Sequence, residues 1–244
     1  MKVSIFITCI VDQMYPRVGM AMAELLARLG VEVVFNPAQT CCGQPAFNAG
    51  YRAQARDVAA QMLDIFEREL ESADYVVAPS GSCTSMVKNF YPELFADSPR
   101  MLSRVARVAA RTFELSQFIV DVLGVEDVGS EFKGRLTYHD SCHLLRELGV
   151  DSAPRKLLSK VRGVEFVESD RADACCGFGG VFSVKFPETS AAIGAEKITS
   201  IERSRADAVV SCDAGCMMQM AGLLGRKGSP VRCLHLAEVL APPA

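Results

Sequence analysis

Cys175-Cys176-Gly177-Phe178-Gly179-Gly180, in the second half of the chain, has a counterpart in the first half at Gln39-Thr40-Cys41-Cys42-Gly43-Gln44-Pro45. A lone cysteine precedes each pair, Cys142 in one half and Cys9 in the other, and another follows, Cys216 or Cys83. From lone cysteine to pair is 33 positions in the second half and 32 in the first; from pair to final cysteine is 40 and 41. The flanks agree as well: Ala206-Asp207-Ala208-Val209-Val210 stands against Ala73-Asp74-Tyr75-Val76-Val77. The tails match more loosely, Leu234-His235-Leu236-Ala237 against Phe113-Glu114-Leu115-Ser116. Two agreeing spacings with matching flanks define an internal repeat, and a repeat of this length decides the architecture. Cys212 falls opposite Pro79, so the second half holds five of these thiols and the first holds four.

Working outward, Val3 to Thr8 is a continuous apolar run rich in β-branched residues, which reads as a central strand. Pro16 suits the first turn of a helix and Gly30 its end, with Val18, Met22, Leu25, Leu26 and Leu29 on one stripe. Val31 to Phe35 reads as the next strand, Arg52 to Glu71 as an amphipathic helix, and Tyr75 to Ala78 as a third strand. Met101, Leu102, Val105 and Val108 mark a further helix. The second half repeats the order: strand at Arg135 to Tyr138, helix at Ala153 to Val161, strand at Val164 to Val167. A helix over Pro187 to Arg205, a strand over Ala208 to Ser211, a short helix through Met220 and Leu224, and a strand over Val231 to His235 complete it. The expected class is α/β, in two pseudo-repeated halves, each a small parallel sheet with flanking helices. The expected boundaries are residues 1–128 for the first repeat and 133–244 for the second, with acidic, glycine-rich Gly124 to Gly134 as linker. In such a layout every repeated cysteine follows a strand. Open parallel sheets bind ligands at that carboxyl edge, so residues distant in sequence are expected to converge there.

The chain has 244 residues, enough for one large core or two small ones. Its net charge of −3 and the lack of a basic stripe argue against a nucleic-acid partner. No stretch has the length of a transmembrane segment, and Met1 to Val11 lacks the basic region and cleavage site of a signal peptide. A cytoplasmic location is expected. In a reducing compartment, ten cysteines suit metal or redox chemistry better than structural disulfides.

Adjacent side chains in an extended strand point to opposite sides, so both members of a Cys-Cys pair face one site only if the backbone turns. Gly43 and Gly177 can supply that turn with positive φ. A zinc site usually shows two short Cys-Cys spacings; here the one such spacing is Cys212 to Cys216. The closely spaced run of a ferredoxin is also missing. The surplus thiol of the second half suits a cluster with a bridging cysteine, or a cluster plus a free thiol. A bound cluster there is the favoured reading, with zinc and free thiols as alternatives. Cys233, in a strand and without a counterpart, reads as a small buried hydrophobe.

Other polar residues surround these cysteines. His139 and His143 flank Cys142; both read first as structural, and His143 is favoured for a hydrogen bond to the site. His235 reads as structural. Asp12, Gln13 and Gln44 are candidates to cap the first-half loops, and Arg17 and Arg146 to offset anionic charge. Met217, Met218 and Met220 read as packing.

The doubled Cys…Cys-Cys-Gly…Cys pattern resembles the CCG, or cysteine-rich, domain family. That family includes heterodisulfide reductase subunits, glycolate oxidase iron–sulfur subunits and a lactate-utilisation branch. Two repeats without an attached ferredoxin domain are most similar to the last. The resemblance implies an electron-transfer subunit holding [4Fe–4S] clusters, acting with a ferredoxin-like iron–sulfur subunit and a third lactate-utilisation subunit to oxidise L-lactate to pyruvate. Carried over, one cluster is expected at Cys142, Cys175, Cys176, Cys212 and Cys216, with a second site at Cys9, Cys41, Cys42 and Cys83. The chain departs from the reductase pattern, in which each repeat ends in C-x-x-C. Its second repeat has Cys212-Asp213-Ala214-Gly215-Cys216, and its first keeps Cys83 alone. A disulfide-reducing subunit and a zinc-stabilised scaffold are the alternative functions.

Overall fold

Val3, Ile5 and Phe6 are buried, and the run they belong to forms strand β1 (Lys2–Ile5) in the computed structural model, which describes residues 1–241. β2 (Glu32–Val34), β3 (Tyr75–Ala78) and β4 (Thr112–Glu114) join it in a sheet of order β2-β1-β3-β4, every pair parallel. The second half builds the same sheet from β5 (Glu131–His139), β6 (Arg162–Phe166), β7 (Ala208–Ser211) and β8 (Arg232–His235), in order β6-β5-β7-β8 and again all parallel. The chain divides into two compact units, Met1–Leu115 and Ser116–Ala244. No described helix is long and apolar enough to cross a membrane.

The long helix of each unit packs by the same residues. Arg52–Glu69 buries Ala55, Ala59, Met62, Leu63, Ile65 and Phe66. Pro187–Arg203 buries Ser190, Gly194, Lys197, Ile198, Ser200 and Ile201, each 135 positions further on. The stripe fits the 3.6-residue period of a helix with one face on a sheet. In the first unit Phe66 meets Phe6 edge-on, ring centroids 5.1 Å apart. At 194 the helix passes so close to the Cys-Cys-Gly loop that a Cβ would lie 2.9 Å from the Cys176 carbonyl oxygen.

Two elements differ from the sequence reading. β5 begins at Glu131, inside the stretch read as linker, because the glycine there serves as a bulge: Gly134 has φ +145 and the register with β6 shifts between Glu131 and Gly134. β4 is a strand that Thr-Phe-Glu does not announce. It forms because Thr112, Phe113 and Glu114 align with Val76, Val77 and Ala78 of β3. The helix Pro16–Arg28, the strands at Tyr75 and Ala208 and the helix Pro99–Ala109 lie where periodicity puts them.

Candidate metal centres

Every thiol of the repeat lies at the carboxyl edge of its sheet. Cys9 opens the helix Cys9–Met14 after β1, and Cys142 stands in the turn after β5, before one π-helical turn at His143–Glu147. Cys83 is the third residue of the helix Gly81–Ser85 after β3, and Cys216 the third of Ala214–Lys227 after β7. Equivalent side chains cap these two helices: Ser80 Oγ accepts from Cys83 N at 3.4 Å, and Asp213 Oδ1 accepts from Gly215 N at 3.0 Å.

Each Cys-Cys-Gly loop turns as its glycine permits, with φ +87 at Gly43 and +86 at Gly177. The turn brings the glycine N–H back onto the first cysteine of the pair. Gly43 N donates to Cys41 Sγ at 3.4 Å and Gly177 N to Cys175 Sγ at 3.3 Å. The second cysteine points inward, and Cys42 and Cys176 are buried in the hydrophobic cores of their units.

The result is a linked set of four thiols in each unit. Cys9 Sγ lies 3.7 Å from Cys41 Sγ, Cys41 is in hydrogen-bond contact with Cys42, and Cys42 Sγ lies 3.4 Å from Cys83 Sγ. In the second unit the same contacts join Cys142 to Cys175, Cys175 to Cys176, and Cys176 to Cys216. All ten cysteines are free. Two thiolates on one tetrahedral metal, with bonds of about 2.3 Å, sit about 3.8 Å apart. The first unit's sulfurs, at 3.7 and 3.4 Å, therefore already lie near bridging distance. Cys212 is placed differently: it is fully buried at the end of β7, and the Tyr138 hydroxyl donates to its Sγ at 3.5 Å.

The thiols differ in acidity. Donation from Cys142, then from Cys176 and the Gly177 N–H, holds Cys175 far below the usual thiol range, at about 2. Donation from Cys42 and Cys9 holds Cys41 at about 3. The donors are raised in turn: Cys9 by its bond to Cys41 and by burial, Cys142 by its bond to Cys175 and by burial. Cys42 and Cys176 rise for the same two reasons. Cys233, read as buried, is half-buried against the core of the second unit, and desolvation pushes its thiol up to about 12.

The second unit adds two groups the first lacks. His139, fully buried at the end of β5, has a ring nitrogen within 4.8 Å of both the Cys176 and Cys216 sulfurs. Neither of its ring nitrogens has a hydrogen-bond partner, and burial lowers it to about 3. Buried polar groups are almost always paired, so an orphan aimed among thiols points to a bound group that pairs it. Lys197 is also fully buried. Its Nζ donates to the Arg171 and Ala172 carbonyls, both at 2.8 Å, and burial lowers it to about 8. Thiols near bridging distance and an unpaired imidazole fit a thiolate-ligated metal or cluster.

Of the two histidines flanking Cys142, His139 rather than the favoured His143 enters the site; His143 Nε2 lies 3.9 Å from Glu147. His235 caps the last helix with Glu238 and is structural, as read. Gln44 ties the first loop to the Cys83 helix through the Ser82 carbonyl at 3.3 Å, whereas Gln13 is bonded to Asp12 on the surface. Arg146 donates to the Asp173 carbonyl at 3.2 Å, and Arg17 is exposed. Met217 and Met220 are core residues and Met218 is half-buried. Lys197 escapes a sequence reading, although a lysine in the buried stripe of an amphipathic helix is a signal in itself.

A repeated parallel sheet that gathers four thiols at its carboxyl edge defines a cysteine-rich class of protein. The chain belongs to the CCG cysteine-rich domain family, whose profile matches residues 3–88 and 136–221, one match per unit. It is similar to "Lactate utilization protein A" of Geobacillus kaustophilus, 50% identical over 240 residues that cover 98% of each chain. It is similar also to "Lactate utilization protein A" of Bacillus subtilis, at 47% identity over 98% of this chain and 99% of the other. Among solved structures, a hypothetical protein from Helicobacter pylori matches with a TM-score of 0.68 over 98% of this chain, at 10% identity. This chain spans 48% of that protein's length, and the likeness is one of fold.

Proposed function

We propose that the chain is an iron–sulfur electron-transfer subunit of a multi-subunit, cytoplasmic system that oxidises L-lactate to pyruvate. Cys142, Cys175, Cys176 and Cys216 would hold one [4Fe–4S] cluster, with Cys212 the additional thiol of the set. Cys9, Cys41, Cys42 and Cys83 would hold a second. Such a cluster, when bound, supplies one-electron storage at a potential set by its surroundings. Its partners would be a ferredoxin-like iron–sulfur subunit and a third lactate-utilisation subunit. The observation that carries the reading is the linked set of four free thiols in each unit, set near bridging distance. The names of the relatives support the lactate system.

The chain's own residues have definable work in this reading. Cys41 and Cys175, whose neighbours lower the pKa of their thiols, are the first ligands to offer. The Gly43 and Gly177 N–H groups keep a hydrogen bond on those sulfurs. The buried Cys42 and Cys176 exclude water from the inner side. The experiment is iron and acid-labile sulfide analysis with electron paramagnetic resonance on anaerobically purified protein, native chain against Cys176→Ala. Iron, sulfide and a reducible signal in the native chain, diminished in the variant, are expected. Colourless protein with stoichiometric zinc would overturn the reading in favour of a scaffold.

One observation favours a second reading, thiol–disulfide chemistry of the heterodisulfide-reductase type. Cys175 is exposed as well as acidic, and it touches Cys142. That pair could reduce a disulfide substrate, giving up two electrons and two protons as its own disulfide forms. Consumption of a small disulfide by the reduced chain, absent in Cys175→Ser, would establish it.

A further inference from the structure

The two units share their sheets, their loops and their thiols, yet differ at two fully buried positions beside the sulfurs. The residue three before the first cysteine is Phe6 in one unit and His139 in the other. The residue at the third buried position of the long helix is Met62 in one and Lys197 in the other. Phe6 packs on Phe66, and the Met62 sulfur accepts from Thr40 N at 3.3 Å. The first unit's thiols are thus backed by neutral, apolar side chains. Those of the second are backed by an unpaired imidazole and a buried ammonium.

The ammonium is held in place. Arg171 and Ala172, whose carbonyls bind Lys197, lie in the loop that carries Cys175 and Cys176. The Ala172 carbonyl also accepts from Asp140 N at 3.1 Å, which ties this loop to the end of β5 beside His139. The Lys197 charge bears on Cys176 and Cys216 as well as on Asp140 and Asp173. We propose that Lys197 and His139 are positioning residues that raise the reduction potential of the group held by the second unit's thiols above that of the first. The proposal rests on the cluster reading above. A fixed positive charge stabilises the form that carries one more electron. An imidazole that pairs with the bound group stabilises it further, and low dielectric strengthens both effects. On reduction one electron enters from the titrant and is retained at the site, and neither residue gains or loses a bond.

The test is a potentiometric titration of anaerobic, iron-replete protein, followed by electron paramagnetic resonance. Native chain is compared with Lys197→Met, Lys197→Gln and His139→Phe. Met and Phe are the first unit's own residues at these positions, and Gln keeps a donor for the two carbonyls while removing the charge. The second unit's signal is identified by its loss in Cys176→Ala. Both Lys197 variants are expected to lower its potential by at least a tenfold change in the one-electron equilibrium, about 59 mV. His139→Phe is expected to lower it as well, and the first unit's signal to stay in place. Iron-replete variants with an unmoved second signal would overturn the proposal. So would folded Lys197→Gln protein that no longer holds iron, since the lysine would then serve retention and not potential. Native protein without iron or a reducible signal would sink the cluster reading itself, and that is seen before any variant is made.

Discussion

Replacing Lys197 by methionine should stabilise the metal-free chain. The lysine is fully buried, and burial lowers it from the usual 10.5 to about 8. That displacement corresponds to about 3 kcal/mol of destabilisation while the folded and unfolded chains are both charged. Below pH 8 the whole cost is present. Between about 8 and 10.5 the folded chain releases a proton that the unfolded chain keeps, so native stability rises with pH and the cost disappears. The two carbonyls bound by Lys197 are not orphaned by its loss: Arg171 O also accepts from Ala174 N and Ala172 O from Asp140 N, each at 3.1 Å. Allowing about 1 kcal/mol for the two lysine hydrogen bonds, the expected gain is about 2 kcal/mol at pH 7, falling to zero or slightly below near pH 10.5. The assay is urea unfolding of reduced, metal-free Lys197→Met and native chains, followed by far-ultraviolet circular dichroism across that pH range. A gain of this size moves the midpoint by roughly 1 M urea. A variant less stable than the native chain at pH 7, or an increment equal at pH 7 and 10.5, would refute the reasoning.

Gly177→Ala should cost more than Gly43→Ala, although both glycines have φ near +87. A Cβ at 177 would lie 2.3 Å from the Ser190 carbonyl oxygen, against 3.3 Å from Ala55 O at 43. Losses of about 3 kcal/mol or more and about 1–2 kcal/mol are expected from thermal unfolding of the two variants. In metal-free protein at pH 6.5, iodoacetamide should label the exposed Cys175 first, while Cys233, pushed up to about 12, stays unmodified. Peptide mass spectrometry checks the order, and equal labelling of the two would contradict it. Arg155→Met should destabilise the second unit by about 3–5 kcal/mol, because it strands the Asp140 carboxylate. That carboxylate is 4% exposed and takes two hydrogen bonds from Arg155, at 2.8 and 2.7 Å. Denaturant unfolding of this variant, with Asp140→Asn/Arg155→Met recovering part of the loss, is the check.

The doubled spacing made the architecture legible, because a repeat that returns the same cysteines after the same strands leaves few topologies. Gly43 and Gly177 could be assigned a positive φ in advance, since two adjacent side chains cannot share a site without one. β4 was not legible: Thr112, Phe113 and Glu114 carry no pattern, and the strand exists by pairing with β3. The choice between His139 and His143 was not legible either. Both flank Cys142, and which enters the site depends on the end of β5, where His139 is the last strand residue and pairs with Ser211. Lys197 went unread because charged residues are normally assigned to the wet face of a helix, and its burial is set by carbonyls some 25 residues away.

The thiols of each unit come from three successive strand ends, and this imposes a timetable on biosynthesis. Cys83 leaves the ribosome 74 positions after Cys9, and Cys216 the same distance after Cys142. At about 5–20 residues per second, the earliest thiol of each set waits roughly 4–15 s for the last. Until then the nascent chain offers incomplete ligand sets. In the cluster reading, loading would therefore follow emergence of Cys83 or Cys216, and the amino-terminal set would be complete first.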